Sequence, residues 1–428
     1  MNTFKKIYCR TFQAVFRLAM PFMPYREPKI LNQLTEIAPL LGKQKISSVL
    51  LITSPTVRKS DGVRSLEQSL NAAGIFCAIY DKTCPNPTID NVETARALYI
   101  KENCKALIAF GGGSAIDCAK AVGARIAYPN KSVDQMKGLL KVLKKIPTLI
   151  AIPTTAGTGS EVTVTSVITN NKIKHKYTMN SFPLIPSYAV LDPAVTLTLP
   201  PSLTATTGMD ALTHAVEAYI GGSTTKETRA YALEAIKLIF ENLETAYNNG
   251  TNETARRNML RAAYIAGIAF SKSYVGYIHA VAHTLGGQYN IPHGLANAVL
   301  MPIVLKVYGD SVYNKLHVCA ITAGIASPQD SPENGAKKFI QAIRDMNTRM
   351  NIPTGFSDIQ KRDIPMMAEH ADAEANPLYP VPKLMDAKEL ERIYYTVTLS
   401  TENKQTEKEQ PKKNQTEKKQ TEQKQPKK

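Results

Sequence analysis

Between residues 45 and 200 the chain repeats one local pattern, and no other feature limits its fold as much. A short apolar run ends in a turn, and the turn opens a helix-compatible stretch. ISSVLLIT (46–53) reads as a buried strand, and 63–73 reads as a helix that stops at Gly74. IFCAIY (75–80) is the next strand, followed by the loop CPNPT and a helical run over 91–103. ALIAF (106–110) runs into Gly111-Gly112-Gly113-Ser114 and a helix over 115–124, and TLIAI (148–152) enters PTTAGTGSE. Strands alternating with helices predict a parallel sheet covered on both faces, because parallel strands need crossovers and helices supply them. VTVTSVIT and KYTM then read as a hairpin, and YAVL (188–191) as a further strand. Beyond Pro200 the strand pattern stops. Helix-compatible stretches fill 203 to about 399, punctuated by Gly221-Gly222, Pro292, Pro328 and Pro353. At 428 residues the chain can build two cores. The expected order is a basic amphipathic segment (1–27), an α/β domain (28–200), an all-helical domain (201–400) and a polar tail (401–428).

The histidines are unevenly spread. Of seven, four fall in YIHAVAHTLGGQYNIPHGLANAVL (277–300) and TGMDALTHAVEAY (207–219). Asp210 and His214 are four apart, so on a helix both leave one face; His279 and His283 repeat the spacing. His293 sits between Pro292 and Gly294, turn chemistry that can aim a side chain from a helix start. One carboxylate and three imidazoles can hold a divalent metal with positions left open, and the fourth histidine would lie near for proton transfer. A single pair at this spacing is more often a packed or solvated coincidence; the clustering on three elements brings a metal role level with that reading. Spacing does not say which histidine is spare. His175, within 172–176, reads as a solvated turn residue, while His317 and His370 carry no motif.

A strand that delivers small residues to a helix start is a phosphate cradle, since glycine lets the backbone approach and the free N–H groups attract anions. GGGSAID differs from the common GxGxxG fingerprint, and a tight turn without a ligand is its bland reading. PTTAGTGSE presents glycines and hydroxyls directly after another strand. Two such loops at the carboxyl ends of parallel strands suit a nucleotide pyrophosphate.

The formal charge is +16, but the tail at 401–428 supplies +4 and residues 1–50 supply +6. Nothing resembles a nucleic-acid module, so the excess does not imply nucleic acid as a partner. Six cysteines lie scattered without a CxxC, which reads as free thiols in a reducing compartment. No signal-peptide pattern and no apolar run of bilayer length stand out, and a cytoplasmic location is expected. In residues 1–24, Phe4, Tyr8, Phe12, Val15, Phe16 and Ala19 share one helical face, with Lys6, Arg10 and Arg17 opposite. This helix is expected to dock on its own protein or on a second subunit, with weak contact to a membrane surface as the alternative.

GGGSAID, PTTAGTGSE, LDPAVTLTLPPSLTATTGMDALTHAVEAY and HAVAHTLGGQYNIPHG closely resemble the iron-containing (group III) alcohol dehydrogenases, from about residue 28 to 395. The resemblance implies a dehydroquinate synthase-like fold in which 28–200 is a Rossmann-like dinucleotide-binding domain, with the active site between the two domains, and a homodimer or higher homo-oligomer. It makes Asp210, His214, His279 and His293 the metal ligands and His283 the catalytic histidine beside the nicotinamide. The metal would be Fe2+, although imidazole and carboxylate suit Zn2+ as well. Cofactor contacts would come from Ser54 and Asn86, from Gly112, Gly113, Ser114 and Asp117, and from Thr154, Thr155, Thr158 and Thr163. Val167, Lys176 and Leu203 would complete them. NAD-preferring relatives tend to place Asp after the first strand, where it bonds the ribose 2′-hydroxyl. This chain has Ser54 there, with Arg58 and Lys59 close behind, so a 2′-phosphate meets no carboxylate and either NAD or NADP fits.

The expected activity is interconversion of a primary alcohol and its aldehyde with NAD(P). A hydroxyacid–oxoacid transhydrogenase or a polyol dehydrogenase of the 1,3-propanediol or glycerol type is the alternative. A lyase of the dehydroquinate synthase kind, or a scaffold without activity, fits the intact ligand set less well. The tail has no apolar residue to pack, so deleting 401–428 should leave turnover and melting temperature nearly unchanged. A melting curve and an initial-rate assay on the truncated chain check this; a large drop in either would mean that the tail docks.

Overall fold

The structure, a computed structural model, describes residues 1–19, 22–171 and 175–399. The expected tail at 401–428 and the side chain of His175 lie outside that description. Nine strands occur among the described residues: β1 (Lys29–Leu31), β2 (Ser48–Ile52), β3 (Phe76–Tyr80), β4 (Ala106–Gly111), β5 (Gly138–Leu139), β6 (Thr148–Pro153), β7 (Thr165–Asn170), β8 (His175–Asn180) and β9 (Tyr188–Val190). Six of them form a parallel sheet in the order β1-β9-β6-β4-β2-β3. The expected hairpin is β7 against β8, pairing Thr165 with Asn180, and β5 joins its edge. β1 and β5 went unread in the sequence because two or three residues are too few to show a period of two.

The helices are α1 (Thr3–Ala19), α2 (Ile37–Lys43), α3 (Asp61–Ala72), α4 (Ile89–Lys101), α5 (Gly113–Ala127), α6 (Pro201–Ile220) and α7 (Lys226–Asn248). They continue with α8 (Glu253–Ser273), α9 (Tyr277–Tyr289), α10 (His293–Tyr308), α11 (Tyr313–Thr322), α12 (Pro332–Arg349), α13 (Ile364–Ala375) and α14 (Ala387–Val397). The sheet is buried on both faces, as its unbroken apolar strands require. Leu50, Ile52, Leu107, Ala109 and Leu149 pack with Val92 and Ala95 of α4 and Ile116 and Ala119 of α5. Val49, Leu51, Ile108, Ile150 and Ile152 point the other way, onto Ile37 and Leu41 of α2 and Val63 and Leu66 of α3. From Pro201, at the first turn of α6 where a missing N–H costs nothing, the chain is helical and its cores merge into one cluster.

Two expectations need correction. The stretch His293–Thr322 is long and apolar enough to cross a membrane by composition, although no such run was expected; 61% of its most apolar window is buried inside the protein, where it forms core helices. α1 does dock on its own chain, but only the Phe16 end of its aromatic face takes part, edge-on against Tyr274. Cys9 and Gln13 are the buried positions, while Phe4, Ile7, Tyr8, Val15 and Leu18 stay exposed. Polar bonds hold it: Arg10 donates to the carbonyls of Val381 and Pro382, Gln13 donates to those of Pro377 and Tyr379, and Lys5 pairs with Asp372. Of these bonds the one from Gln13 to Tyr379 is buried, where leaving the carbonyl without a donor would be costly.

The sheet part and the helical part meet where the loop after β6 crosses α8. Gly159 has φ +60°, and a Cβ there would lie 2.8 Å from the Cα of Gly267. A Cβ on Gly267 would lie 2.5 Å from Val162 Cγ2. Gly267→Ala should therefore push the loop off α8 and lower stability by about 1–3 kcal/mol, the usual cost of overpacking. Chemical denaturation of the variant checks this, and an unchanged midpoint would show that the contact relaxes freely.

Candidate active site and metal centre

Asp210 and His214 stand one turn apart on α6, His279 and His283 one turn apart on α9, and His293 opens α10. The structure brings Asp210, His214, His279 and His293 together, one ligand atom from each lying within 4.8 Å of the others. The first three are buried and His293 is half-buried. Asp210 Oδ1 lies 3.5 Å from His293 Nε2 and 3.9 Å from His279 Nε2. The rings of His214 and His279 stack at 4.5 Å, with Phe270 stacked on the far side of His214 at 4.2 Å.

The donor set suits a divalent cation. His279 Nδ1 is 2.6 Å from Glu217 Oε2, which leaves Nε2 as the lone-pair atom facing the cluster. Asn297 confirms that lone pairs converge there: its amide Nδ2 donates to Asp210 Oδ1 at 2.7 Å and lies 3.2 Å from Nε2 of both His279 and His293. Burial holds His279 well below the usual imidazole range, helped by the neighbouring histidines. Burial likewise lowers His293 to about 4, against the pull of Asp210. Both imidazoles are thus neutral at pH 7, the form that binds a metal.

His283 is placed differently. Its Nδ1 faces Glu374 Oε1 at 2.6 Å, and its ring stacks on His293 with centroids 5.1 Å apart. Burial lowers the His283 imidazole, but the charge of Glu374 and the bond to it outweigh that and leave it above its ordinary value. The two alternating histidines of α9 therefore have opposite electrostatics. Glu217 is buried and accepts N–H bonds from Gly276 and Ile278 at the start of α9, both at 2.8 Å. Burial pushes its carboxyl up to about 7 in spite of those donors.

A cleft of about 1800 Å³ joins this cluster to the carboxyl ends of β2, β4 and β6. Ser54 and Asn86 line it, as do Gly112, Gly113, Ser114 and Asp117. Thr155, Thr158 and Thr163 line it from the second loop, and Val167, Lys176 and Leu203 from the far wall. Thr154 is the exception among the expected contacts: it is buried beneath the wall, its N–H donating to the carbonyl of Gly111. Thr154 follows the last residue of β6 directly, and its backbone is still tied to the end of β4. Asp117 reaches the cleft but uses its carboxylate internally, accepting from Ser160 Oγ at 2.6 Å and from the Val167 N–H at 3.1 Å.

The glycine turn is a cradle by close approach. A Cβ on Gly113 would meet Thr158 Cγ2 at 2.8 Å, and Gly112 begins α5 with no side chain capping its N–H groups. Lys120, fully buried, donates to the carbonyls of Thr163 and Thr165 and to Thr163 Oγ1, pinning the second loop to α5. Burial lowers its amine to about 8, against Asp117 and Glu161. Arg58 is not available to a 2′-phosphate as a lone cation, because Glu67 holds it in two bonds of 2.6 and 3.1 Å.

The sequence reading passed over five of these residues. Glu217 shared a helix face with Asp210 and His214, seven and three positions on, and Asn297 followed His293 by four; both were visible by spacing. Lys120 lay one turn beyond Ile116 in a run that reads as plain core. Glu374 and Tyr379 had no local signal, since their relation to His283 exists only in the fold. His370, which carries no motif, also lines the cleft.

Two family descriptions fit the chain: "Iron-containing alcohol dehydrogenase" over residues 28–193, and "Fe-containing alcohol dehydrogenase family, C-terminal" over 204–398. The 1,3-propanediol dehydrogenase of Klebsiella pneumoniae is 38% identical over 366 residues, covering 85% of this chain and 94% of its own. A crystal structure of a 1,3-propanediol oxidoreductase superposes with a TM-score of 0.84 at 35% identity, over 87% of this chain and 99% of that one. The sulfoacetaldehyde reductase of Bifidobacterium kashiwanohense, solved with NAD+, superposes at 0.78 with 27% identity, over 88% of this chain and 98% of that one. With its parallel sheet, its helical second part and its Asp–His cluster at the cleft between them, the chain belongs to the iron-containing alcohol dehydrogenase family.

Proposed function

We propose that the protein interconverts a primary alcohol and its aldehyde with NAD(P). Asp210, His214, His279 and His293 would hold a divalent metal, Fe2+ by family. The observation that carries this reading is the position of the four-residue cluster, with His283 beside it, in the same cleft that receives the carboxyl ends of β2, β4 and β6. Residues 28–200 would then be the cofactor domain and 201–400 the metal domain. When bound, the metal supplies a Lewis acid for the substrate oxygen and the nicotinamide supplies or accepts a hydride. The chain's own residues do the rest. The N-terminus of α5 takes the pyrophosphate, the loop held by Lys120 covers it, and the cleft excludes water. His283 keeps Nδ1 on Glu374, so Nε2 is the atom through which it gives or takes a proton.

A polyol dehydrogenase is the second reading, favoured by the similarity to a propanediol enzyme. A transhydrogenase is separated from both by free NAD(P)H turnover, since its cofactor stays bound. Anaerobic purification with metal analysis, followed by an alcohol, diol and aldehyde panel with both cofactors, tests the proposal. Activity without stoichiometric metal would sink it. A cytoplasmic setting and a homo-oligomer belong to the same proposal. The exposed stripe of α1 offers a contact to a second copy, or a weak one to a lipid surface, and sedimentation with and without anionic vesicles separates the two.

Cofactor choice turns on Ser54, which lines the cleft and whose Oγ accepts from the Val57 N–H at 3.3 Å. Ser54→Asp should shift the kcat/KM ratio toward NAD by about tenfold, an effect of about 1.4 kcal/mol. An unchanged ratio would show that this position does not face the ribose.

The two histidines of α9 give the sharper test. His279→Ala should strip the metal and abolish turnover with it. His283→Ala should keep the metal near stoichiometric while turnover falls roughly 10²–10⁴-fold. Equal metal loss in both, or the reverse order, would overturn the assignment of roles.

A further inference from the structure

We propose that Glu374, with Tyr379 behind it, is a positioning residue that fixes the ring orientation and tautomer of His283. The inference rests on the dehydrogenase reading, in which His283 moves the proton. One oxygen does the work: Glu374 Oε1 receives His283 Nδ1 at 2.6 Å and the Tyr379 hydroxyl at 2.7 Å. An imidazole beside an open cleft can flip about χ2 and can carry its proton on either nitrogen. A carboxylate oxygen placed on Nδ1 selects the tautomer protonated there and turns Nε2 toward the cleft.

The oxygen is itself held. Glu374 ends α13, which packs along α9, and Tyr379 is buried to 8% exposure. The backbone of Tyr379 is seated by α1, where Gln13 Nε2 donates to its carbonyl at 2.7 Å and to that of Pro377 at 3.2 Å. Phe16 of α1 packs on Tyr274 at 5.1 Å, and Tyr274 lies 6.3 Å from the Tyr379 ring. Support thus runs from a helix that precedes the family-matched residues, through Tyr379 and Glu374, to His283.

A plain structural tie between α13 and α9 would change stability without changing the imidazole, so the test reads the ring. In metal-free protein labelled with 15N-histidine, the hydrogen-bonded Nδ1–H resonance is assigned by its absence in His283→Ala. Glu374→Ala should lose it, and Glu374→Gln, which keeps an acceptor oxygen, should retain it. In metal-loaded enzyme, Glu374→Ala should lower kcat roughly 10–100-fold, the usual worth of an orienting partner, with KM changed less than about threefold and metal content unchanged. Glu374→Gln should recover most of that loss, and Tyr379→Phe should show a smaller one. A persisting Nδ1–H resonance in Glu374→Ala, wild-type kcat in that variant, or a loss that tracks metal content would each overturn the proposal. If the unmodified protein turned over no alcohol or aldehyde, the dehydrogenase reading would fall instead, and the resonance would still decide whether Glu374 orients His283.

Discussion

The arrangement of the Asp–His cluster depends on one buried carboxylate. Glu217 accepts the N–H groups of Gly276 and Ile278 and the Nδ1–H of His279, so a single side chain of α6 caps α9 and aims its first histidine. α9 has no capping side chain of its own, and the charge-assisted bonds suit the positive end of its dipole. Gly276 must be glycine, because a Cβ there would lie 2.7 Å from Glu217 Oε1. Burying that charge is costly, and three donors offset only part of the cost. Because Asp210, His214 and Glu217 share one face of α6, the same contact that joins the helices brings the ligands into register.

The cofactor half follows a different logic, that of loops at strand ends. Three neighbouring parallel strands, β6, β4 and β2, end on the same side, and each delivers its loop to the cleft. Glycines permit the approach at Gly112 and Gly113, while Lys120 and Asp117 brace the second loop from beneath. Gly159 then meets Gly267 backbone to backbone, so the loop that lines the cofactor side also sets its distance from α8. Asn86 and Asn290, both in left-handed backbone, bond across the cleft at 3.1 Å. The loops at the strand ends and the helices that carry the Asp–His cluster thus touch at these points.

α1 adds what the shared fold does not include. Its polar side clamps the carbonyls of 377–382, which carry Tyr379 against Glu374, and its outer face leaves Phe4, Tyr8 and Leu18 exposed. The helix is therefore part of the wall behind His283. It precedes the family-matched residues and reaches the cleft through Phe16.

The order of strands and helices, the glycine turn, and the pairs on α6 and α9 were legible from the sequence because each rests on a local period. A buried parallel strand shows as an unbroken apolar run, and a helix face shows as residues four apart. Family motifs added the ligand set, though spacing alone left the spare histidine undecided. What only the tertiary structure decided were relations between distant segments. Thr154 lies beneath the cleft wall, just past the end of β6, where its N–H bonds the carbonyl of Gly111 at the end of β4. The apolar stripe of α1 divides, with Phe4 and Tyr8 exposed and Phe16 packed on Tyr274, because Gln13 seats the helix on the carbonyls of Pro377 and Tyr379. His279 and His283, alike in sequence and one turn apart, differ because one meets Glu217, 62 residues earlier, and the other meets Glu374, 91 residues later. No local pattern encodes those partners; packing of α6 and α13 on either side of α9 brings them there.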